Sequence, residues 1–435
     1  MSTLQEQLSE IPEYLRHENA DVRAQALEIL KGFSVEEEHI KVLKSLNVVK
    51  AVIRLVSDEP KVSTAALTLL VNLSASDEIR SDIVTAGVVN VCMEFLVSAV
   101  NVRASRLALM ILNNVTLDSQ GAIDAMQEGK PYEGLHATRL FRWFNDRDLA
   151  RADGDDWALA GHILCNLSLL ESGRKLIVDP KRQFLLHLCD HIRSESADRR
   201  LSALRMIHNI SHDVDKQFVL LDPAARIWPV VLRPIVAYNA DGAIDERELK
   251  NILPDVQVML ANPTKQYDPD ATVRRTVLDI VFALCRNPPA RAYLRATNTY
   301  HLLREMHKLE REVENDATDV FLDDELIPYF ILDETEAEME PEKAKRVSIF
   351  RLERQSQGLT YEEDEEEETP AEEQKPPMAM LAPDEDGEIE DARVYNDRMA
   401  QMRAAEELAM EERAKKIGKS MYEPKDDCFD PLTML

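Results

Sequence analysis

The sequence predicts an all-α protein, an α-solenoid of armadillo/HEAT-like repeats with a disordered acidic C-terminal tail. Three observations support this class: a motif that returns every 40 residues, a helical spacing of apolar residues inside each copy, and only 12 glycines in 435 residues. A unit of two or three helices cannot bury its apolar faces alone, so successive units must stack. The shortage of glycine argues against Gly-rich phosphate-binding loops and against barrels with many tight turns.

The repeat begins near the N-terminus and can be followed along most of the chain. Copies start at Asp21, Lys61 and Asn101, and more widely spaced copies start at Asp198 and Asp270. Within each copy, apolar residues fall at i, i+3, i+4 and i+7, which places them on one helix face. The wider spacing predicts insertions between the later repeats. Three leucines share one place in the first three copies and are expected at buried contacts between repeats: Leu27, Leu67 and Leu107.

One polar position recurs inside the predicted helices. An asparagine precedes an apolar residue and a Ser or Thr in the segments VNLS, NNVT, CNLS and HNIS, as in armadillo repeats. An amide carries both donors and acceptors, so a row of asparagines in a concave groove can hold the backbone of an extended peptide. Alternatively, each asparagine satisfies the neighbouring helix terminus inside the stack. The candidate partner-binding asparagines are Asn72, Asn114, Asn166 and Asn209.

Receptors for nuclear-import signals place tryptophan four residues before each of these asparagines. This sequence has other residues there, so an import receptor is not expected. The four positions are occupied by Thr68, Met110, His162 and Arg205.

The charge is strongly negative and unevenly distributed. Fifty-two basic and 80 acidic residues give a net charge of −28, which disfavours nucleic acid and anionic lipid as partners. Arginines nevertheless concentrate between residues 139 and 205, either as a solvated ridge, as a surface for an acidic partner, or as a surface that the acidic tail covers. Arg200 and Arg205, near Asn209, are candidates for steering an acidic partner toward the groove.

Charge and composition also set the predicted boundaries. We expect the solenoid over 1–332, an acidic disordered linker over 333–387, an isolated charged helix over 388–419 and a C-terminal tail over 420–435. The linker contains the acidic run EEDEEEE, residues 362–368. No apolar run approaches the ~18 residues of a membrane span. The N-terminus does not resemble a signal peptide, and five scattered cysteines favour a reducing, cytoplasmic location.

Two patterns imitate metal sites. The segment from Ala237 to Glu248 matches an EF-hand loop at several positions, but Ala237 offers no side-chain oxygen where the first ligand should be. Histidine pairs at i and i+4 share helix faces, yet zinc requires more ligands than each pair supplies. We therefore predict no metal, no cofactor and no catalytic residue. The histidine pairs are His187 with His191 and His208 with His212.

The chain from about Trp157 to Leu332 resembles the Hgh-type armadillo-like family. The resemblance lies in the blocks LAGHILCNLSLLESGRKLIVDP, ADRRLSALRMIHNISHD, IWPVVLRPIVAY, ERELKNILPDVQVM and LIPYFILDETE. It implies a cytosolic, non-enzymatic adaptor that binds newly made translation elongation factor 2 and brings it to the cytosolic chaperonin. Two alternatives stay open: a generic scaffold or transport adaptor that binds peptides through the asparagines, and a calcium-binding protein.

Overall fold

The computed structural model describes residues 8–98, 102–146, 157–239, 242–313 and 315–331. Throughout these ranges the chain forms helices joined by turns, with no β-strand. The units stack in chain order, which confirms the predicted all-α solenoid.

The first four units have simple helical boundaries. Two N-terminal helices, of which the second takes the place of a third helix, come before these four units. Each of the four units has three helices and ends in a long third helix. The bounds are α1 Ile11–Tyr14 and α2 Ala20–Gly32; α3 Glu37–Ser45, α4 Val49–Leu55 and α5 Pro60–Ala75; α6 Asp77–Thr85, α7 Val88–Ser98 and α8 Val102–Val115; α9 Ser119–Met126, α10 Leu135–Asn145 and α11 Ala158–Ser168; α12 Glu171–Val178, α13 Phe184–Ile192 and α14 Ala197–Ser211.

The later units carry the insertions that the wider spacing predicts. Short helical segments stand between the first and third helices of the fifth unit, and the last unit ends in a π-helix and a short α-helix. The bounds are α15 Val214–Leu221, α16 Trp228–Val231, a 3₁₀ helix Arg233–Ile235, α17 Glu246–Leu249, α18 Pro254–Leu260 and α19 Ala271–Cys285; then α20 Pro288–Ala296, α21 Thr299–Glu312, α22 Asp316–Val320, the π-helix Phe321–Leu326 and α23 Ile327–Ile331.

The third helices form one continuous layer. Each of α2, α5, α8, α11, α14 and α19 packs against the next, so every unit covers the apolar face of its neighbour. Leu27, Leu67 and Leu107 lie on the first, second and third of these helices and are fully buried, as their 40-residue spacing predicts. Burial of apolar surface between the units is therefore the main force that holds the stack together.

Local signals decide where many of the helices begin. Side chains at the N-cap accept hydrogen bonds from backbone N–H groups of the first turn, which have no partner within the helix. Asn19 caps α2, Ser76 caps α6, Asp118 caps α9, Ser196 caps α14 and Asp270 caps α19.

Two glycines allow successive units to approach closely. A Cβ on Gly121 would lie 2.0 Å from the carbonyl oxygen of Val115, and one on Gly173 would lie 2.0 Å from that of Leu167. Both glycines stand in the first helix of a unit, and both carbonyls belong to the last turn of the preceding third helix. Any side chain would push this helix away from the turn before it.

Among the described residues, no single helix is long and apolar enough to cross a membrane. The helices α6 and α7 are long and apolar enough only when taken together, and the chain is bent by 73° between them. The predicted linker over 333–387, helix over 388–419 and tail over 420–435 lie outside the described residues and stay predictions.

Candidate functional site

The exposed side chains of the third helices form one face of the solenoid, which we call the third-helix face. It is defined by α2, α5, α8, α11, α14 and α19, and it carries or borders all the predicted partner-binding residues. Equivalent asparagine positions recur on these helices from unit to unit.

The asparagine amides join each unit to the one before it. Each Nδ2 donates to a Ser or Thr hydroxyl in the preceding unit, two residues after the asparagine position of that unit. Three of the four Nδ2 atoms also donate to the carbonyl of the residue just before that asparagine position. The distances are 2.9 Å from Asn72 to Ser34 Oγ; 3.1 and 3.4 Å from Asn114 to Ser74 Oγ and Val71 O; 2.9 and 3.3 Å from Asn166 to Thr116 Oγ1 and Asn113 O; and 2.7 and 3.2 Å from Asn209 to Ser168 Oγ and Cys165 O.

The hydroxyl of each motif completes the same pattern. Ser74 donates to Val71 O at 2.9 Å and Ser168 donates to Cys165 O at 2.7 Å, each within its own helix. The hydroxyl hydrogen is thus used locally, and the oxygen accepts from the next unit's asparagine. The series begins at Ser34 and ends at α19, where Ala283 stands at the asparagine position.

Burial limits what these amides can offer a partner. Asn72, Asn114 and Asn166 are buried, whereas Asn209 is half-buried. Their geometry thus agrees with the alternative in which each asparagine satisfies polar groups of the neighbouring unit, because each amide nitrogen donates to that unit. Direct partner binding by the four asparagines stays a prediction, and Asn209 is the position with the most exposed side chain.

Arg200 is a structural residue in this fold. Its Nε lies 2.7 Å from Asp268 Oδ2 and its Nη2 donates to Asp268 Oδ1 at 3.0 Å. Nη1 donates to the carbonyls of Ser194 and Glu195 at 3.0 and 2.8 Å. The side chain is almost completely buried, so it is not an exposed cation that steers a partner.

The same contact recurs in other units. The sequence pattern did not predict it. Arg23, Arg200 and Arg274 all stand four residues after an N-cap and donate to the two carbonyls just before that cap. Each also pairs with an acid from a later segment. The signal was present as VR or RR at the same place in each copy, but the acids had no fixed spacing. The acids are Asp58, Asp268 and Glu310.

Arg205 differs from Arg200. It stands four residues before Asn209 and its guanidinium is exposed, with no hydrogen bond or ion pair to any other residue in the described part of the chain. Among the equivalent positions, Met110 is buried, while Thr68 and His162 are half-buried. Burial lowers the pKa of His162, and the nearby Arg205 lowers it further while Asp198 opposes the shift. Arg205 is thus a free cation on the third-helix face.

A histidine pair lies beside Arg205. His208 and His212 share a helix face as predicted, and their Nε2 atoms are 3.1 Å apart. Burial lowers the pKa of His208 to about 4, with smaller contributions from His212 and Arg205. The two imidazoles are therefore neutral near pH 7, one donating to the other. In the described ranges, no group of three or more His, Cys, Asp or Glu side chains is arranged to hold a metal ion.

The EF-hand-like loop uses its carboxylates for other contacts. Asp245 accepts from the backbone N–H groups of Arg247 and Glu248 at 2.8 Å each, as the N-cap of α17. Glu248 pairs with Arg304 at 2.9 Å, which lowers the pKa of Glu248 to about 2. Asn239 hydrogen-bonds both backbone groups of Ile244. Both carboxylates are thus already engaged, so the geometry does not favour the calcium-binding alternative.

The cysteines in the described ranges are buried and unpaired. Burial raises the pKa of Cys92 and Cys165 to about 12 and that of Cys189 to about 11. A thiol with such a pKa carries almost no thiolate at neutral pH. These side chains therefore act as small apolar residues in the core.

Comparison with known proteins places this arrangement in a family. Residues 54–275, just over half of the chain, match the family described as "Domain of unknown function (DUF383)". A Dictyostelium discoideum protein called "Protein HGH1 homolog" is 25% identical over 314 residues, which cover 71% of this chain and 87% of that protein. A Xenopus laevis protein of the same name is 26% identical over 310 residues, which cover 70% and 84%.

Among solved structures, a designed armadillo repeat protein is similar with a TM-score of 0.47 and 14% identity, over 63% of this chain and 99% of that one. The family match spans the repeats from α4 into α19, the part of the chain that carries all six predicted partner-binding residues. The chain belongs to this family of armadillo-like proteins, the HGH1 type.

Proposed function

We propose that this chain is a non-enzymatic folding adaptor in the cytosol, which binds newly made translation elongation factor 2 and links it to the cytosolic chaperonin. Membership of the HGH1-type family is the observation that carries the proposal, because the family resemblance implies this client and this chaperonin. The thiols in the described ranges are buried and protonated, so they do not serve as nucleophiles.

An adaptor for an incompletely folded client needs exposed apolar side chains. Leu169, Val214 and Phe218 are 65, 55 and 55% exposed, and we call them the apolar patch. Val214 and Phe218 share one face of α15. Arg174 joins this segment to the end of α11, since it donates to Leu169 O at 2.6 Å and pairs with Asp213 at 3.4 Å. Contiguous exposed apolar side chains are typical of interaction sites.

Capture of a newly made client tests the proposal. Elongation factor 2 is translated in a eukaryotic cell-free extract that contains the full-length chain with an affinity tag, and the client and chaperonin recovered with it are measured. We expect the double variant Leu169→Ser, Phe218→Ser to recover several-fold less elongation factor 2. The melting temperature should be unchanged because both side chains are exposed.

A matched control uses apolar residues elsewhere. Leu186 and Val258 are 48 and 71% exposed on α13 and α18, so Leu186→Ser, Val258→Ser removes a similar exposed area. Capture should be retained in this control. Failure of the unaltered chain to enrich either elongation factor 2 or the chaperonin would contradict the proposed function. Equal loss in both double variants would contradict only the assignment to the apolar patch.

A further inference from the structure

Two exposed arginines, one on the third-helix face and one directly after the end of α19, have no side-chain partner in the described part of the chain. Arg205 lies in α14 and Arg286 follows the last residue of α19; neither side chain makes a hydrogen bond or an ion pair to the described residues. Their neighbours are engaged: Arg275 pairs with Asp279 at 2.9 Å, and Arg174 and Arg200 are also paired with acids.

Arg205 and Arg286 both influence the same pair of histidines. The helices α14 and α19 pack side by side, and the His208–His212 pair lies at the C-terminal end of α14, with His208 buried and His212 exposed. Arg205 lowers the pKa of His208, and Arg286 lowers that of His212, in both cases after burial as the larger cause. The positive potentials of the two guanidinium groups therefore overlap at the histidines. The acid on this side of α19, Asp279, is held by Arg275.

The described chain ends beside this surface. Tyr329 of α23 packs edge-on against Phe282 of α19, with ring centroids 5.3 Å apart. Phe282 stands one helical turn before Arg286. Arg295 fixes the end further, since its Nε donates to Phe330 O at 2.7 Å. The last described residues thus lie close to the helical turn that carries Arg286.

The segment that follows has the charge and the length to return. Its acidic run, Glu362–Glu368, contains seven consecutive carboxylates, and thirty residues lie between Ile331 and Glu362. Thirty residues have an extended reach of about 100 Å. A tether of this kind gives an effective concentration on the order of millimolar.

We propose that the acidic run Glu362–Glu368 binds the surface formed by Arg205 and Arg286 of the same chain, and so covers this end of the third-helix face against acidic partners. Exposed ion pairs are individually weak, and salt screens them. The contact is therefore reversible, and a sufficiently acidic partner displaces it.

A peptide-binding experiment tests this contact in the full-length chain. The probe is a fluorescent peptide of residues 358–372, and its affinity is measured by anisotropy at low salt. One variant replaces each glutamate of the acidic run by Gln and Asp364 by Asn. We expect this neutralised chain to bind the probe about tenfold more tightly than the unaltered chain, because the tethered competitor is gone.

The arginines are then removed in the neutralised chain. Arg205→Gln with Arg286→Gln should abolish the tenfold gain, whereas Lys50→Gln with Arg54→Gln should preserve it. Lys50 and Arg54 are exposed on α4, so the control removes the same charge from a different place. Circular dichroism melting confirms that each variant is folded.

Three results would overturn the proposal. The first is equal affinity of the unaltered and neutralised chains for the probe. The second is an equal loss with the arginine pair and with the control pair, which indicates attraction by net charge alone. The third is an affinity of the unaltered chain that falls as its own concentration rises, which shows that the tail covers a second copy instead.

Discussion

At the scale of single residues, the asparagine motif has a clear structural role. Asn166 in α11 donates to Thr116, the residue directly after α8 and 50 positions earlier. The Thr116 hydroxyl donates in turn to the carbonyl of Leu112 at 2.8 Å. One amide and one hydroxyl thereby fix the register of two neighbouring third helices, in a site that water does not reach.

Replacing Asn166 by Ala should lower the free energy of unfolding by about 1–3 kcal/mol, because a buried carbonyl and a buried hydroxyl lose their donor. Asn209→Ala should cost less, since Asn209 is half-buried. Urea unfolding measures both. In a double-mutant cycle with Thr116→Val, the combined loss should be smaller than the sum for Asn166; simple additivity would contradict the contact. Capture of newly made elongation factor 2 by the Asn209 variant tests whether this amide also binds the client.

His208 gives the stability a predictable pH dependence. Its pKa of about 4 in the folded chain lies below the ordinary value of 6.5. Between pH 6.5 and 4 the unfolded chain therefore binds more protons, so stability falls as the pH decreases through this window. His208→Gln should weaken the fall by an amount on the order of 3 kcal/mol between pH 7 and 4. Denaturant midpoints at each pH provide the measurement.

The exposed His187 supplies the control for this experiment. His187→Gln removes an imidazole from the protein surface and so controls for the loss of a histidine as such. An unchanged profile in His208→Gln would show that burial of this imidazole does not contribute to acid sensitivity.

At the scale of helices, the recurring arginine ties α2, α14 and α19 to a segment that follows each of them. The most buried example is Arg274 of α19, whose Nε donates to Glu310 of α21 at 2.7 Å. The side chains are 7 and 0% exposed. The same guanidinium satisfies the carbonyls of Asp268 and Pro269 before the N-cap. The pair therefore connects the last unit to the fifth.

Breaking this pair from one side should be costly. Arg274→Met leaves the Glu310 carboxylate buried and uncompensated, and we expect a loss of about 3–5 kcal/mol in unfolding free energy. Arg274→Met with Glu310→Leu should recover much of it, because no charge then remains buried without a partner. Thermal and urea unfolding of both variants provide the test; a double variant no more stable than the single one would show that the guanidinium's carbonyl contacts dominate.

At the scale of the whole molecule, removal of the C-terminal region should change the affinity for the acidic probe but not the melting temperature. Deleting residues 340–435 should leave the melting temperature nearly unchanged, because this segment has few apolar residues with which to dock. The same deletion should raise affinity for the acidic probe, because it removes the acidic run. A large drop in melting temperature would instead show that the segment packs on the solenoid.

The sequence by itself determined the fold class, the 40-residue unit, the buried leucines and several helix starts. These features depend on local order: the apolar period defines a helix face, and an N-cap acts within two or three residues. Leu67 is therefore buried as its spacing predicts, and Asp270, where a repeat copy starts, caps α19. The insertions in the fifth unit also follow from spacing alone.

Only the tertiary structure decided which polar groups are free. Arg200 and Arg205 are both arginines of the same helix, α14. Arg200 nevertheless forms an ion pair with Asp268, 68 residues away, while Arg205 stays exposed. Glu248 similarly meets Arg304, 56 residues away, which removes it from any calcium site. Stacking brings such pairs together across insertions of irregular length, so no spacing in the sequence identifies them. A buried charge requires a partner, and the partner is defined only once the units are stacked.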